Sequence, residues 1–195
     1  MKSHAEYSAS TRLESEYLPS VVEYLRFRED TTEIRPANKK EQLAYDIDLW
    51  WSHIVKGRER ETSVEVKVDG QGHQTGNFAF ETISNKRANT PGCFIRSEAQ
   101  EWYYLTAGNG KLYRWRQGAV REWFLSEIAT NPNRFKRITP QTPTVGDRQG
   151  YSSEAYLVPI RTLLVAGGSS IKVDEINVPP LPDWYVEQMR VRRGQ

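Results

Sequence analysis

The heptapeptide Ser63-Val64-Glu65-Val66-Lys67-Val68-Asp69 alternates without interruption between valine and a polar or charged residue. A period of two belongs to a β-strand, where successive side chains leave opposite faces. Val64, Val66 and Val68 are therefore expected in a core, with Glu65 and Lys67 together on the other face. A second run, Tyr45-Asp46-Ile47-Asp48-Leu49-Trp50-Trp51, comes before it and repeats the pattern, with Asp46 and Asp48 on one side and Ile47 and Leu49 on the other. Lys56-Gly57-Arg58 between the two runs reads as a turn, so the two acid-bearing strands should lie side by side and antiparallel.

The remaining chain supplies elements around this pair. After a polar, mixed stretch over residues 1–18, a helix is expected to start at Pro19 and carry Val21, Val22 and Leu25 to about Glu29. Residues 30–40, interrupted by Pro36, read as a loop, and residues 43–54 as the aromatic and aliphatic strand that holds Asp46 and Asp48. The three glycines of residues 69–76 mark a loop leaving the second acidic strand, followed by a strand over 77–83. Residues 101–106 and 111–116 alternate around Ala107-Gly108-Asn109-Gly110 and predict a hairpin. Phe124, Leu125 and Ile128 predict a helix over 121–130. Residues 155–164 read as a strand in which Pro159 favours an edge, and residues 171–176 as a further strand. Residues 178–195 comprise the Pro-rich breaker Val178-Pro179-Pro180-Leu181-Pro182 and a closing helix capped by Asp183, ending in Arg190, Arg192 and Arg193.

At 195 residues the chain is expected to form one domain with a core of its own. Mean hydropathy is −0.71, and no apolar run approaches the roughly 18 residues of a membrane span. Met1-Lys2-Ser3-His4-Ala5-Glu6 has no apolar stretch behind its lysine, which leads to the expectation of a cytoplasmic protein without a secretory signal. The single cysteine, Cys93, leaves no internal disulfide, and with three histidines a Cys/His zinc cage is disfavoured, so a metal here is expected to be oxygen-bound. The net charge of +2 says little, but 18 of the 27 basic residues are arginine, whose guanidinium fork matches phosphate oxygens.

A carboxylate pair on neighbouring strands with a lysine beside it is the equipment of metal-dependent phosphodiester hydrolysis. Asp48 and Glu65 are the candidate ligands of a Mg²⁺ ion, with Mn²⁺ expected to substitute, and the backbone carbonyl of Val66 is a further oxygen on the same strand. Lys67 is placed to orient the nucleophile or to offset charge in the transition state. The triplet Glu65-Val66-Lys67 alone is common. Its weight comes from context: an acid on the preceding hydrophobic strand, a turn between the two, and a glycine-rich exit.

These residues resemble the PD-(D/E)xK nuclease superfamily. The order of helix, Asp strand, Glu65-Val66-Lys67 strand, further strand and helix is similar to its core, and Ile47-Asp48-Leu49 is similar to the form in which the metal-binding Asp follows an apolar residue. Thr75-Gly76-Asn77-Phe78-Ala79-Phe80-Glu81 and Arg96-Ser97-Glu98-Ala99-Gln100 look like nuclease-like proteins of phages and bacteria. The resemblance covers about residues 14–130. It implies an α/β restriction-endonuclease-like fold, a mixed central β-sheet flanked by α-helices, and a Mg²⁺-dependent nuclease with Asp48, Glu65 and Lys67 as catalytic residues. The proline that often precedes the Asp is absent, which leaves Asp46 as a reserve ligand beside Asp48. Glu23 on the first helix and Glu81 on the strand after the motif are further reserves.

His73, Thr75 and Asn77 in and after the glycine-rich loop, and Arg58 and Arg60 beside Lys56 at the turn, are the candidate contacts to a nucleic-acid backbone. The partner is expected to be DNA, or RNA, and cutting both strands of a duplex calls for two sites, as a homodimer would supply. Two other classes fit the same residues. One is a nuclease-fold DNA-binding or assembly subunit without chemistry, and the other an unrelated α/β interaction protein with charged strand faces.

Overall fold

The computed structural model describes residues 4–142 and 150–193, with only the backbone given for residues 4–11, 142, 192 and 193. Helix α1 (His4–Arg26) leads into strand β1 (Thr31–Pro36), helix α2 (Lys39–Tyr45), and strands β2 (Leu49–Val55) and β3 (Arg58–Asp69). A short helix α3 (Gly72–Thr75), strands β4 (Asn77–Asn85) and β5 (Thr90–Pro91), and helix α4 (Cys93–Arg96) precede the hairpin β6 (Glu101–Thr106) and β7 (Lys111–Arg116). Then follow helix α5 (Gln117–Thr130), strands β8 (Lys136–Ile138), β9 (Gln141–Thr142), β10 (Tyr151–Ser152) and β11 (Glu154–Pro159), helix α6 (Ile160–Gly167), strand β12 (Lys172–Glu175) and helix α7 (Asp183–Arg193).

The architecture is mixed α/β. A six-stranded sheet runs β1-β2-β3-β6-β7-β12 and a four-stranded sheet β5-β4-β11-β8, with β9 and β10 paired apart. The only parallel neighbours in the larger sheet are β3 and β6, because the chain leaves β3, builds β4, β5 and α4, and returns in the same direction. The β2–β3 hairpin closes in two residues, Lys56 and Gly57, both at positive φ (51° and 74°). That conformation gives a two-residue hairpin loop the twist of its strands.

Each face of the large sheet buries a different core. Val64, Val66 and Val68 of β3 meet Leu13, Tyr17, Val21 and Leu25 of α1, a stripe with a spacing of four. The other face carries an aromatic core shared with the smaller sheet. Phe80 stacks on Phe94 with centroids 3.9 Å apart, and Phe94 meets Trp102 edge-on at 5.3 Å. Helix α5 ties the α4 segment down, since Gln117 donates to the Phe94 carbonyl at 2.8 Å and Arg121 to the carbonyls of Ile95 and Ser97 at 2.8 and 2.9 Å. Helix α7 closes onto α1, where Trp184 donates to Glu16 and the Tyr17 hydroxyl donates to the carbonyls of Pro179 and Pro180.

Several elements differ from the sequence expectation. Helix α1 does not begin at Pro19 but runs through it, because Leu13 and Tyr17 extend the buried stripe upstream and their packing outweighs the one backbone hydrogen bond proline removes. The segment read as a loop contains β1, an edge strand ending at Pro36, and the start of α2. Asn38 caps α2 through a capping box with Glu41, the local signal that overrides a continuous strand over 43–54. The stretch 155–164 divides at Pro159 into a strand and α6. The hairpin 101–116, the strand near 171–176 and the closing helix lie where expected, while the side chains of Arg192 and Arg193 fall outside the described residues. Among the described residues no helix is long and apolar enough to cross a membrane.

Candidate active site

The site forms where β2 begins and β3 continues past it. Asp48 is the last residue before β2: its amide donates to the Val64 carbonyl at 2.9 Å, and its Oδ2 accepts from the Val66 amide at 2.8 Å. Backbone groups two residues apart on a strand face the same neighbour. The carbonyl of Val66 thus points to the side of β3 where Asp48 stands, beyond the last β2 pair, Leu49 with Val64.

Glu65 and Lys67 project from the opposite face to the valines, as their spacing requires. Lys67 Nζ lies 3.1 Å from Glu65 Oε1 and 3.2 Å from Glu14 Oε1 of α1. Glu65 is 4% exposed and forms the floor, whereas Glu14, Asp48 and Lys67 are partly open to solvent. Glu81 of β4 and the Cys93 thiol complete the surroundings: the Cys93 amide donates to Glu81 Oε2 at 3.4 Å. Gly92 makes that approach possible, since a Cβ there would sit 2.4 Å from the Glu81 carbonyl oxygen.

Four carboxyl groups thus surround one ammonium, and the protonation follows from that imbalance. Burial opposes the charge on Lys67, but Glu14 and then Glu65 outweigh it and hold the lysine pKa well above 10.5. Burial pushes Glu65 well above 4.5; Lys67 pulls it back, and the neighbouring Asp48 adds to the rise. Asp48, Glu14 and Glu81 are also raised, each first by burial. Asp48 and Glu65 are electrostatic neighbours in this cluster, and burial opposes the ionisation of both. Burial likewise pushes the Cys93 thiol up and keeps it neutral.

Asp46 is not a strand residue. It caps the C-terminus of α2 at φ 48°, so the parity that paired it with Asp48 does not apply. Arg96 holds its carboxylate in a bidentate pair, with Nε donating to Oδ2 at 2.7 Å, and the Ser97 hydroxyl donates to its carbonyl at 3.0 Å. Glu23 is exposed on α1. Nine residues separate it from Glu14, which at 100° per residue puts the two on opposite sides of the helix. Glu14 is the acidic residue of α1 that reaches the site, and the sequence reading missed it because the helix was begun too late.

The expected nucleic-acid contacts do not join this cluster. Arg58 and Arg60 lie upstream on β3, roughly 23 and 16 Å from Glu65 at the rise of a strand, and their even positions face the α1 side. His73 on α3 packs against Gly108 in the β6–β7 turn, where a Cβ would come within 2.1 Å of its ring. Thr75 is exposed, and Asn77 Nδ2 donates to its carbonyl at 2.7 Å.

The chain matches no family model, curated protein or solved structure. Among the described residues, no group of three or more His, Cys, Asp and Glu side chains is arranged to hold a metal ion. The donor set at Asp48 and Glu65 is smaller: two carboxyl groups and the Val66 carbonyl. Mg²⁺ takes one or two carboxylates and keeps several waters. The excess of carboxyl groups over the single Lys67 ammonium is the observation that bears on fit, since a buried carboxyl pair short of positive charge is a place where a divalent cation replaces a proton.

Proposed function

We propose that the chain is a Mg²⁺-dependent DNA nuclease on a restriction-endonuclease-like core, with Asp48, Glu65 and Lys67 as its catalytic residues. The observation that carries this reading is the Asp48 carboxylate held by the Val66 amide at 2.8 Å, next along β3 to Glu65, whose Oε1 lies 3.1 Å from the Lys67 ammonium. Asp48, Glu65 and the Val66 carbonyl would hold the ion. When bound, it polarises a phosphodiester and lowers the pKa of a coordinated water.

The roles of the chain's own groups follow from their charge. Lys67, held protonated by Glu14 and Glu65, acts as a fixed positive charge toward the developing phosphorane and orients the attacking water. It is not a general base, because its proton is retained throughout the range in which the carboxylates ionise. The Val66 amide fixes the Asp48 carboxylate, so one oxygen is committed to β3 and the other is free to turn toward Glu65. Glu14 anchors the lysine from the helix side.

Purified protein incubated with supercoiled, linear and single-stranded DNA and with RNA, with and without Mg²⁺, tests the proposal. Cleavage that needs Mg²⁺, stops in EDTA and is lost in Glu65→Ala and Lys67→Ala supports it. DNA binding without cleavage, unchanged by EDTA or by Lys67→Ala, would instead identify a DNA-binding or assembly subunit.

A further inference from the structure

Away from the acidic cluster, the face of the large sheet that α1 covers becomes bare at one end. Along β7, Leu112 is fully buried, Arg114 partly open and Arg116 exposed; along β6, Leu105 and Tyr103 are buried and Glu101 is half-open. The helix ends at Arg26, and beyond it a cavity of about 850 Å³ opens around the ends of β2, β6, β7 and β12, reaching from the α1 face to the edge of the aromatic core on the other face. None of Glu14, Asp48, Glu65 and Lys67 lines it.

Its wall has two characters. Val120, Trp123 and Leu163 of α5 and α6 make an apolar side, with the Trp123 indole partly open. Arg116 and Lys172, both exposed and without an ion pair among the described residues, join the Ser169 and Ser170 hydroxyls on the polar side. Of the other cations there, Arg28 and Arg114 are already matched by Asp30 and Asp174, and Lys56 stands exposed at the β2–β3 turn. His53 contributes a separate signal. It is 9% exposed, stacked on Trp51 at 3.7 Å, and its Nε2 meets the Thr62 hydroxyl at 3.0 Å. Its Nδ1 is buried with no hydrogen-bond partner, the nearest acid oxygen, of Asp30, being 3.9 Å away. A buried polar atom without a partner costs stability unless something binds it.

We infer that this cavity binds a nucleoside phosphate, with Arg116 and Lys172 on the phosphate and Trp123 against the base. The volume falls in the range of ligand pockets and exceeds what a lone phosphate needs. A partly open indole beside exposed cations matches a base joined to a phosphate better than it matches an acidic peptide. Glu101, inside the cavity, repels a second phosphate but accepts hydrogen bonds from sugar hydroxyls, as His53 Nδ1 can from a donor on the ligand. The nucleoside phosphate is either free or the terminal nucleotide of a strand.

Titrations in EDTA, followed by tryptophan fluorescence and calorimetry, test this on the full chain, with AMP, inorganic phosphate and a short 5′-phosphorylated oligothymidylate as probes. The expected result is saturable binding at one site that weakens roughly ten-fold or more in the Arg116→Ala/Lys172→Ala double variant and is unchanged in Glu65→Ala. AMP binding at least as tight as the oligonucleotide assigns the site to free nucleotides; tighter oligonucleotide binding with the same dependence on Arg116 and Lys172 assigns it to a strand end. Absence of saturable binding of AMP and oligonucleotide, affinity unaltered in the double variant, or inorganic phosphate binding as tightly as AMP overturns the inference. Because both altered residues are exposed, circular dichroism is expected to report an unchanged fold. The titration contains no metal and involves no cleavage, so its outcome is independent of whether the acidic cluster is a nuclease site.

Discussion

Asp48 Oδ2 accepts the Val66 amide at 2.8 Å, so a side chain takes the ladder position that β2 has vacated and is held beside Glu65 by the strand that carries Glu65. In the proposed site, structure and chemistry are therefore joined in one carboxylate.

The two functions separate in substitution. Asp48→Ala leaves the partly buried Val66 amide without its acceptor and is expected to cost about 1–3 kcal/mol, seen as a lower urea midpoint. Asp48→Asn keeps an acceptor oxygen and removes a carboxyl whose ionisation burial opposes. It is expected to be at least as stable as the parent at pH 7 in EDTA, yet to lose nuclease activity with Asp48→Ala. Equal destabilisation by both variants would show that the charge, not the hydrogen bond, holds β3.

Glu65 links the site to pH. Its pKa is raised above 4.5 in the folded state by burial, then by Asp48. A raised acid contributes its full stability below the unfolded value, and that contribution drains away as pH rises through the folded one. In EDTA the melting temperature of the parent is expected to fall relative to Glu65→Gln as pH climbs from 4.5 through neutrality. Mg²⁺ is expected to oppose the fall, by about 2.7 kcal/mol at one hundred times its Kd, and not to do so in Glu65→Gln. A parent and variant whose curves stay parallel across that range refute the buried-proton account.

The strand alternation around Glu65 and the turn at Lys56-Gly57 were legible because a half-buried strand writes its faces into a period of two, and a two-residue hairpin selects its turn residues. The position of Asp48 beside Glu65 followed from the same two signals. Asp46 was misplaced because the Asn38 capping box is a local signal that outranks a run of apolar residues, converting the start of an apparent strand into α2. Glu14 was missed because Pro19 reads as a helix start, although Leu13 and Tyr17 continue the stripe of Val21 and Leu25. The approach of Cys93 to Glu81 depends on packing between segments distant in sequence, for which no local pattern exists.

Gly92 tests that packing. A methyl group there would lie 2.4 Å from the Glu81 carbonyl oxygen and 2.8 Å from its Cγ, and the backbone oxygen cannot rotate away. Gly92→Ala is expected to destabilise by about 1–3 kcal/mol and to shift the α4 segment that carries Cys93 and Arg96. Hydrogen exchange should show faster exchange at the amides of residues 93–97, while the β2–β3 ladder near Gly57, at the far end of β3 from Glu65, keeps its protection. Uniform loss of protection would mean that the contact is part of the global core instead.

Glu14 is a positioning residue whose effect runs through Lys67. Burial works against the lysine charge, and Glu14 is the largest of the carboxylate contributions that counter it. Removing it in Glu14→Ala lowers the Lys67 pKa, and the positive charge is then lost at a lower pH. The expected result is a nuclease rate reduced by about 10–100-fold, with the alkaline limb of the kcat/KM profile displaced toward neutrality. Glu14→Gln keeps an acceptor for the ammonium without the charge, and is expected to restore stability but not the alkaline limb. A purely structural Glu14 would lower the amount of folded enzyme in both variants while leaving the profile of the folded fraction superimposable on the parent, so the position of that limb decides the role.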